Sequence, residues 1–262
     1  MHTLRTAAST ALLLVLLLVL GVLLLAVNLI SVVLYPLLPE RLGRTAGRHV
    51  IRTTYRLFWG IAIASGMLRL ESSVLEQLRD EPGLIIAANH PSMLDALILV
   101  ARLPRGACIM KAELMRNIFL GSGARLARYI RNDSAHSMVR LAVHDLRTGG
   151  QLVIFPEGTR TTRRPVNPFT SAATLISKLA KAPIQTVLID TDSPYLGKGW
   201  PLWRLPPLPI RFSVRLGERF APAADVHAQQ HRLEAYFAAN VRCGVPAQPV
   251  REEPHPSETR SA

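Results

Sequence analysis

Cysteine is scarce in this chain. Its 262 residues include only Cys108 and Cys243, which lie far apart and in no metal-type spacing. Two such cysteines do not make a disulfide framework, and their scarcity is typical of a protein in a reducing compartment. The zinc-binding sequence H-E-x-x-H is absent as well. We therefore expect neither a metal nor another cofactor.

Acidic residues are also few. The chain has 18 Asp and Glu against 31 Lys and Arg, a formal net charge of +13. The segment from Ala221 onward holds four Arg and five acids, so the surplus lies before it. A basic surface suits anionic partners: nucleic acid, an acidic membrane surface or phosphorylated substrates. A membrane-tethered nucleic-acid binder would need aromatic residues among the basic ones, and at 6% of the chain aromatics are few. We expect no nucleic-acid partner.

Charge is missing altogether from residues 11–34. This stretch of 24 residues reaches roughly 36 Å as a helix, enough to cross a hydrocarbon core of about 30 Å. A cleaved signal peptide would have a shorter apolar region and a small-residue cleavage site, which is not found before Tyr35-Pro36. We therefore predict that residues 1–40 are a membrane anchor.

Arginines follow the uncharged stretch, whereas only His2 and Arg5 precede it. The positive-inside rule then places the rest of the chain on the cytoplasmic side of the cytoplasmic (inner) membrane. The residues that carry this inference are Arg41, Arg44, Arg48 and Arg52.

Residues 45–70 mix arginines with aromatic and aliphatic residues. Two interpretations fit this pattern. One is an interfacial helix, with its arginines at headgroup level and Phe58 and Trp59 dipping into the bilayer. The other is an ordinary amphipathic helix packed on the domain. Residues 41–75 are assigned to this segment, and the choice between the two stays open at this point.

The remainder alternates strand and helix patterns. Short apolar runs bounded by Gly, Pro or polar residues predict strands, and apolar residues at three- and four-residue steps predict helices. Such alternation indicates an α/β domain, assigned to residues 76–244, before a Pro- and charge-rich tail, 245–262, that we expect to be disordered. Strands are expected at 84–88, 108–110, 152–155, 184–189 and 210–216, and helices at 89–102, 113–129, 136–148 and 171–182.

The first chemical motif lies where a predicted strand gives way to a helix. Residues 89–95 read Asn-His-Pro-Ser-Met-Leu-Asp, an N-H-x-x-x-x-D pattern. Within one helix, positions five apart diverge by about 140° around the axis, but His90 in the loop can fold back towards Asp95. A carboxylate on one imidazole nitrogen fixes the tautomer and leaves the other nitrogen free to remove a hydroxyl proton. The substrate would then supply the hydroxyl.

The second motif follows another buried strand. Residues 155–160 read Phe-Pro-Glu-Gly-Thr-Arg, at the strand end where ligands bind in open α/β sheets. Gly158 would let a ligand approach closely, and the planar guanidinium of Arg160 matches phosphate oxygens.

Together the two motifs, in this order and about 60 residues apart, resemble those of the glycerolipid acyltransferase family. Its founding activity is acylation of 1-acyl-glycerol-3-phosphate. The resemblance implies a mixed sheet flanked by helices behind an N-terminal membrane helix or two-helix motif. It also implies His90 as general base, Asp95 as its partner, and Glu157, Gly158, Thr159 and Arg160 as acceptor-binding residues. The acyl donor would be acyl-CoA or acyl carrier protein, and backbone N–H groups near the dyad or Gly158 would stabilise the oxyanion.

The resemblance weakens outside these motifs. Arg131, which ends a degenerate form of the family's intermediate motif, and Lys111, where many members carry a lysine, are further substrate-binding candidates. After the second motif many members have Phe-Lys-x-Gly, whereas residues 169–172 here read Phe-Thr-Ser-Ala. Residues 198–200, Lys-Gly-Trp, also look like members associated with specialised lipids such as aryl polyenes. A paralogue that acylates another acceptor, such as lyso-ornithine lipid, therefore stays an alternative.

Overall fold

The computed structural model describes residues 2–163, 165–201 and 204–242. Cys243 and the tail predicted to be disordered, 245–262, lie outside the described residues. The helices are α1 (His2–Leu37), α2 (Glu40–Ala64), α3 (Asp95–Arg102), α4 (Gly121–Leu126), α5 (Ala135–Arg147), α6 (Ala172–Ala180) and α7 (Val226–Asn240), with 3-10 helices at Ser73–Leu78 and Ala112–Arg116.

A mixed seven-stranded sheet forms the centre of the molecule, as the resemblance implied. The strand order is β1-β7-β6-β2-β5-β3-β4. Strands β6, β2, β5, β3 and β4 run parallel, whereas β7 is antiparallel to β6 and parallel to β1. The strands are β1 (Leu68–Glu71), β2 (Leu84–Ala88), β3 (Gly106–Lys111), β4 (Ile130–Asn132), β5 (Gln151–Ile154), β6 (Ile184–Thr191) and β7 (Ile210–Phe220).

The sequence pattern accounts for the strand positions. Every residue of β2 and β5 is buried, as their unbroken apolar runs require of central parallel strands. Strand β7 alternates buried and exposed positions at its start, as expected for a half-covered strand. Apolar clusters cover both faces of the sheet: helices α2 and α3 pack on one, and α5, α6 and α7 on the other.

Two helix predictions were wrong in their bounds. The helix expected over 89–102 begins only at Asp95, because Asn89 does not cap it. Instead the Asn89 side chain bridges to β6, donating to the Ile189 carbonyl and accepting from the Ile189 N–H, both at 2.8 Å. The helix expected over 113–129 is broken into a 3-10 turn and α4, and Arg128 adopts a left-handed φ of 56°.

Helix α1 is long and apolar enough to cross a membrane. An 18-residue window within its stretch Thr6–Leu37 has a mean hydropathy of 3.2, and the part of the chain that the structure describes has no second helix of this kind. The polar residues Ser31 and Asn28 inside it are buried, and Asn28 contacts α4. Its side-chain oxygen accepts hydrogen bonds from the backbone N–H groups of Ser122 (2.6 Å) and Gly123 (3.3 Å) in the first turn of α4. The apolar helix thus contacts the α/β body directly.

Helix α2 packs on the α/β body through its aromatic face. Phe58 and Trp59 are 2% and 3% exposed and lie in the protein core. The interpretation in which these two residues dip into the bilayer was therefore wrong, and the amphipathic-helix interpretation describes this face. The helix ends at Ala64, and β1 within the same predicted segment joins the sheet.

A buried ion pair and a close backbone contact hold α2 in place. Arg48 donates to the carboxylate of Asp145 on α5 at 2.6 Å and to the carbonyls of Ala127 (3.1 Å) and Arg105 (2.8 Å). One residue earlier, a Cβ on Gly47 would lie 2.6 Å from the Ala127 backbone nitrogen. Only glycine lets α2 approach α4 this closely.

We predict that Gly47→Ala destabilises the protein by about 1–3 kcal/mol, because the added methyl group overpacks the contact between α2 and α4. Gly60→Ala on the same helix is the matched control, since a Cβ there meets nothing within 4 Å. It should stabilise by about 0.5–1 kcal/mol, because alanine favours the helical backbone. Chemical denaturation of both detergent-solubilised variants measures the difference, and equal effects would contradict the close contact.

Candidate active site

Both sequence motifs meet at the carboxyl ends of β2 and β5. These strands are neighbours in the sheet, with Ala87 opposite Ile154. His90 follows β2 and Glu157 follows β5, so the two loops emerge side by side at the edge where parallel sheets bind ligands. Their backbones are joined directly, because the Thr161 N–H donates to the His90 carbonyl at 2.8 Å.

His90 and Asp95 are in hydrogen-bonding contact. The distance from His90 Nδ1 to Asp95 Oδ2 is 2.9 Å, and the Ser92 N–H donates to the same oxygen at 2.7 Å. The contact is possible because α3 begins at Asp95, so the intervening residues turn back instead of extending a helix. An ionised Asp95 requires the proton on Nδ1, which leaves the lone pair of Nε2 for a substrate proton.

The Asp95 carboxylate is fully buried, and burial raises its pKa. The hydrogen bond and charge of His90, the Ser92 N–H and the charge of Arg160 oppose this shift without cancelling it. Within the described residues the second carboxylate oxygen, Oδ1, is buried without a hydrogen-bond partner. Since a raised pKa means that folding disfavours the ionised form, the charge of Asp95 adds no stability at neutral pH.

We therefore predict that Asp95→Asn separates stability from activity. The neutral amide removes the buried charge, so the melting temperature should stay the same or rise. Turnover should fall about 100- to 10,000-fold, because an uncharged amide at this position cannot stabilise an imidazolium. Thermal unfolding measures the melting temperature, and initial rates measured around neutral pH give the turnover. A strongly destabilised variant would show that the carboxylate is structural.

Phe155 forms the floor beneath the imidazole. Its ring stacks on that of His90 with centroids 4.0 Å apart and an interplanar angle of 16°. The stack fixes the plane of the imidazole while Asp95 fixes its rotation in that plane. We did not assign this role from the sequence, which predicted Phe155 as the last residue of a strand and the first of the second motif.

Glu157 holds the two loops together. It is 5% exposed, and its Oε1 accepts from the His90 N–H (3.0 Å) and the Thr161 hydroxyl (2.7 Å). Oε2 accepts from the Asn167 N–H at 2.9 Å. Both oxygens thus accept hydrogen bonds from the protein itself, and the acceptor-binding role that the resemblance implied for Glu157 stays a prediction. Through these contacts Glu157 positions the backbone of His90. The sequence analysis did not identify Asn167 as a partner of Glu157.

We predict that Glu157→Ala destabilises the protein and lowers kcat more than it raises KM. Each buried donor left without a partner costs about 1–3 kcal/mol, and His90 loses its backbone anchor. Thr161→Val is the matched control, since it removes one of the three bonds and should cost about 1 kcal/mol. Denaturation and steady-state kinetics measure both effects. Wild-type kcat in Glu157→Ala would contradict the positioning role.

Arg160 reaches across to a neighbouring loop. Its Nη1 donates to the carbonyls of Leu196 (2.9 Å) and Gly197 (3.0 Å), and its own carbonyl accepts from the Asn167 side chain at 3.1 Å. The loop is in turn tied to the first motif, because the Ser92 hydroxyl donates to the Tyr195 carbonyl. One end of the guanidinium is thus already used to assemble the site, and only its remaining N–H groups are left for an anion.

Gly158 and Thr159 form the turn between Glu157 and Arg160. Gly158 has a φ of 67°, which favours glycine, and its N–H donates to the Phe155 carbonyl at 2.9 Å. That N–H is therefore already used within the turn. The backbone N–H groups of Thr159 and Arg160 have no hydrogen-bond acceptor within the described residues.

Lys111 and Arg131 lie further along the same edge. Lys111 ends β3 and Arg131 lies in β4, where it is paired in register with Met110. Two strand spacings, about 10 Å, separate β4 from β5. Arg131 is exposed and forms an ion pair with Asp133 at 3.1 Å. No hydrogen bond or ion pair joins either cation to the His90–Asp95 pair among the described residues.

Known proteins share both the sequence pattern and the fold. Residues 69–190, which contain both motifs, match the family model described as Acyltransferase. A Caenorhabditis elegans protein named as a candidate 1-acyl-sn-glycerol-3-phosphate acyltransferase, acl-1, is 28% identical over 150 residues, which cover 54% of this chain and 56% of that protein. The chain thus matches about half the length of this relative.

A solved structure extends the comparison to the whole fold. The crystal structure of PlsC, the 1-acyl-sn-glycerophosphate acyltransferase of Thermotoga maritima, superimposes with a TM-score of 0.63. The alignment covers 91% of this chain and 95% of PlsC at 19% identity, so it establishes the likeness of fold. Residues 69–190 therefore resemble the Acyltransferase family, in a chain with the fold of PlsC.

Proposed function

We propose that this protein transfers a fatty acyl chain from an acyl thioester to the free hydroxyl of a lysophospholipid such as 1-acyl-glycerol-3-phosphate. The observation that carries the proposal is the 2.9 Å contact between His90 and the buried Asp95, which leaves Nε2 free at the substrate edge of the sheet. The names of the relatives, both 1-acylglycerophosphate acyltransferases, support the choice of acceptor.

In the proposed reaction the acceptor itself is the nucleophile. Nε2 of His90 takes the proton of the acceptor hydroxyl as its oxygen attacks the thioester carbonyl, and Asp95 stabilises the imidazolium. The tetrahedral intermediate then expels the thiolate, the C–S bond breaks, and the thiol leaves with the proton from His90. An ester and a free thiol result, and no metal or other cofactor takes part.

Two groups of the chain suit the transition state. The backbone N–H groups of Thr159 and Arg160, without acceptors in the described part of the chain, are our candidates for the oxyanion. Removing one such donor typically costs about 100- to 1000-fold in rate. Cys108 is a poor acyl carrier, because it is buried and burial raises the pKa of its thiol to about 12.

The acceptor's phosphate would bind at the positive side of this edge. The first candidates for binding the phosphate are the N–H groups of Arg160 that do not contact Leu196 and Gly197. Lys111 and Arg131 are further candidates. The apolar α1 would hold the body at the membrane where such lipids reside, with the catalytic edge on the cytoplasmic side of the inner membrane. The thioester would be acyl-CoA or acyl carrier protein, both of which are found there.

The test is an acceptor panel assayed with the full chain in detergent. With acyl-CoA or acyl carrier protein as donor, mass spectrometry should show acylated lysophosphatidate. His90→Ala should lower turnover about 100- to 10,000-fold in a protein that still folds, because the base is lost. His136→Ala, on the exposed start of α5, is the matched control and should keep wild-type turnover.

Two outcomes decide against parts of this proposal. Full activity in a folded His90→Ala variant would end the general-base mechanism. Acylation of lyso-ornithine lipid or another hydroxylated acceptor, without acylation of lysophosphatidate, would identify a paralogue in specialised lipid synthesis.

A further inference from the structure

Helix α2 buries a second arginine that the catalytic proposal does not use. Arg52 is 8% exposed, and its Nε and Nη2 atoms are buried. Neither atom has a hydrogen-bond partner among the described residues. A buried guanidinium without partners is costly, because the charge has lost its water and gained nothing in exchange.

The preceding turn of the same helix shows how such a charge is normally compensated. Arg48, on the same side of α2, is 5% exposed and binds the Asp145 carboxylate and two carbonyls. The fold therefore buries two guanidinium groups one turn apart and neutralises only one from within. Arg52 has the burial of an ion-pair member without the anion.

Other arginines surround Arg52. Burial lowers its pKa, and so do the charges of Arg56, Arg79 and Arg102, while Glu76 acts in the opposite direction. Glu76 is already shared, since Arg102 Nη1 lies 3.1 Å from its Oε1 and Arg79 Nη1 lies 3.8 Å from its Oε2. Two of the arginines thus already contact the one carboxylate, and the four arginines with Glu76 carry a formal charge of +3.

These side chains come from three elements that meet away from the dyad. Arg52 and Arg56 lie on α2, Arg79 follows the first 3-10 helix, and Arg102 ends α3. Asp95 begins α3, so the length of that helix, about 10 Å, separates the group from the dyad. Arg56 and Arg79 are exposed at the surface above Arg52.

We propose that Arg52, Arg56, Arg79 and Arg102 form a second anion site, which binds a phosphate group at the junction of α2, α3 and the first 3-10 helix. A phosphate carries several oxygens that planar guanidinium groups can share, and its charge offsets the surplus of the cluster. Bound there, it supplies the partner that Arg52 lacks. The phosphate belongs either to the headgroup of a membrane lipid or to a soluble phosphorylated compound.

The experiment measures the thermal stability of the full chain in detergent as an anion is added. Inorganic phosphate should raise the melting temperature above that in chloride at equal ionic strength if the ligand is soluble. Micelles containing phosphatidylglycerol should raise it above micelles containing phosphatidylcholine if the ligand is a headgroup. No shift in either comparison overturns the proposal.

Variants locate the site. Arg79→Gln, at an exposed position, should weaken the anion's apparent affinity about tenfold or more, because it removes a charge-assisted hydrogen bond. Arg52→Met should abolish the shift, and its melting temperature without anion should equal or exceed that of the wild type, since an unpaired buried charge has gone. If Arg52→Met does not fold, Arg79→Gln alone decides.

Two controls separate this site from others. Arg48→Met should lower stability, because it leaves the buried Asp145 with only the longer contact to Arg44 at 3.5 Å, yet keep the anion-dependent shift. Arg160→Gln should also keep the shift, since Arg160 belongs to the proposed acceptor site. A shift lost in Arg160→Gln and kept in Arg79→Gln would assign the anion to the catalytic edge and overturn the second site.

Discussion

The Glu157 carboxylate is the interaction on which the catalytic edge depends. It accepts the His90 N–H from the loop after β2 and ties down Thr161 and Asn167 in the loop after β5. Parallel strands bring these loops side by side, but the strands do not set the distance between them. The buried carboxylate and the bond from the Thr161 N–H to the His90 carbonyl hold the loops together, next to the His90–Asp95 contact and the stack on Phe155. Glu157 is thus a structural link between two loops.

Buried charge recurs throughout the molecule, each time with a different degree of compensation. Arg48 and Asp145 neutralise each other, and Glu157 is satisfied by three donors. Among the described residues, one carboxylate oxygen of Asp95 has no hydrogen-bond partner, and two guanidinium nitrogens of Arg52 have none either. Asp145 Oδ2 also has no hydrogen-bond partner there, so the charges of the structural pair are matched while its hydrogen bonds are not. At the dyad and at the proposed anion site, an incoming proton or anion would supply a missing partner.

Much of the fold could be predicted because it rests on local patterns. The apolar runs of β2, β5 and β6 and the periodicity of α5 predicted elements that the structure confirms. Strands β1 and β4 and helix α7 were not predicted, since the strands have four and three residues and are defined by pairing with distant partners. The start of α3 was misplaced because asparagine is a favoured N-cap residue, whereas the Asn89 side chain here hydrogen-bonds to β6. Only the tertiary structure decides between these two roles.

The candidate site divides in the same way. His90 and Asp95 were found because they are five residues apart and the motif carries the pairing. The hydrogen bonds that Glu157, Gly158 and Arg160 form within the protein could not be predicted. The partners of Glu157 and Arg160, at Asn167 and in the loop around Leu196, are brought close only by the folded sheet. Spacing along the chain reveals which residues lie together at an edge of the sheet. It does not reveal which of their donors and acceptors are free to bind a ligand.

The single asparagine within α1 has a consequence for how the proposed acyltransferase would meet lipids. Because Asn28 accepts two backbone N–H groups of α4, the apolar helix is fastened to the globular body. With α1 in the bilayer, as proposed, this contact would restrict the height of the candidate catalytic edge above the membrane. The depth of an acceptor hydroxyl in the leaflet would then contribute to substrate selection.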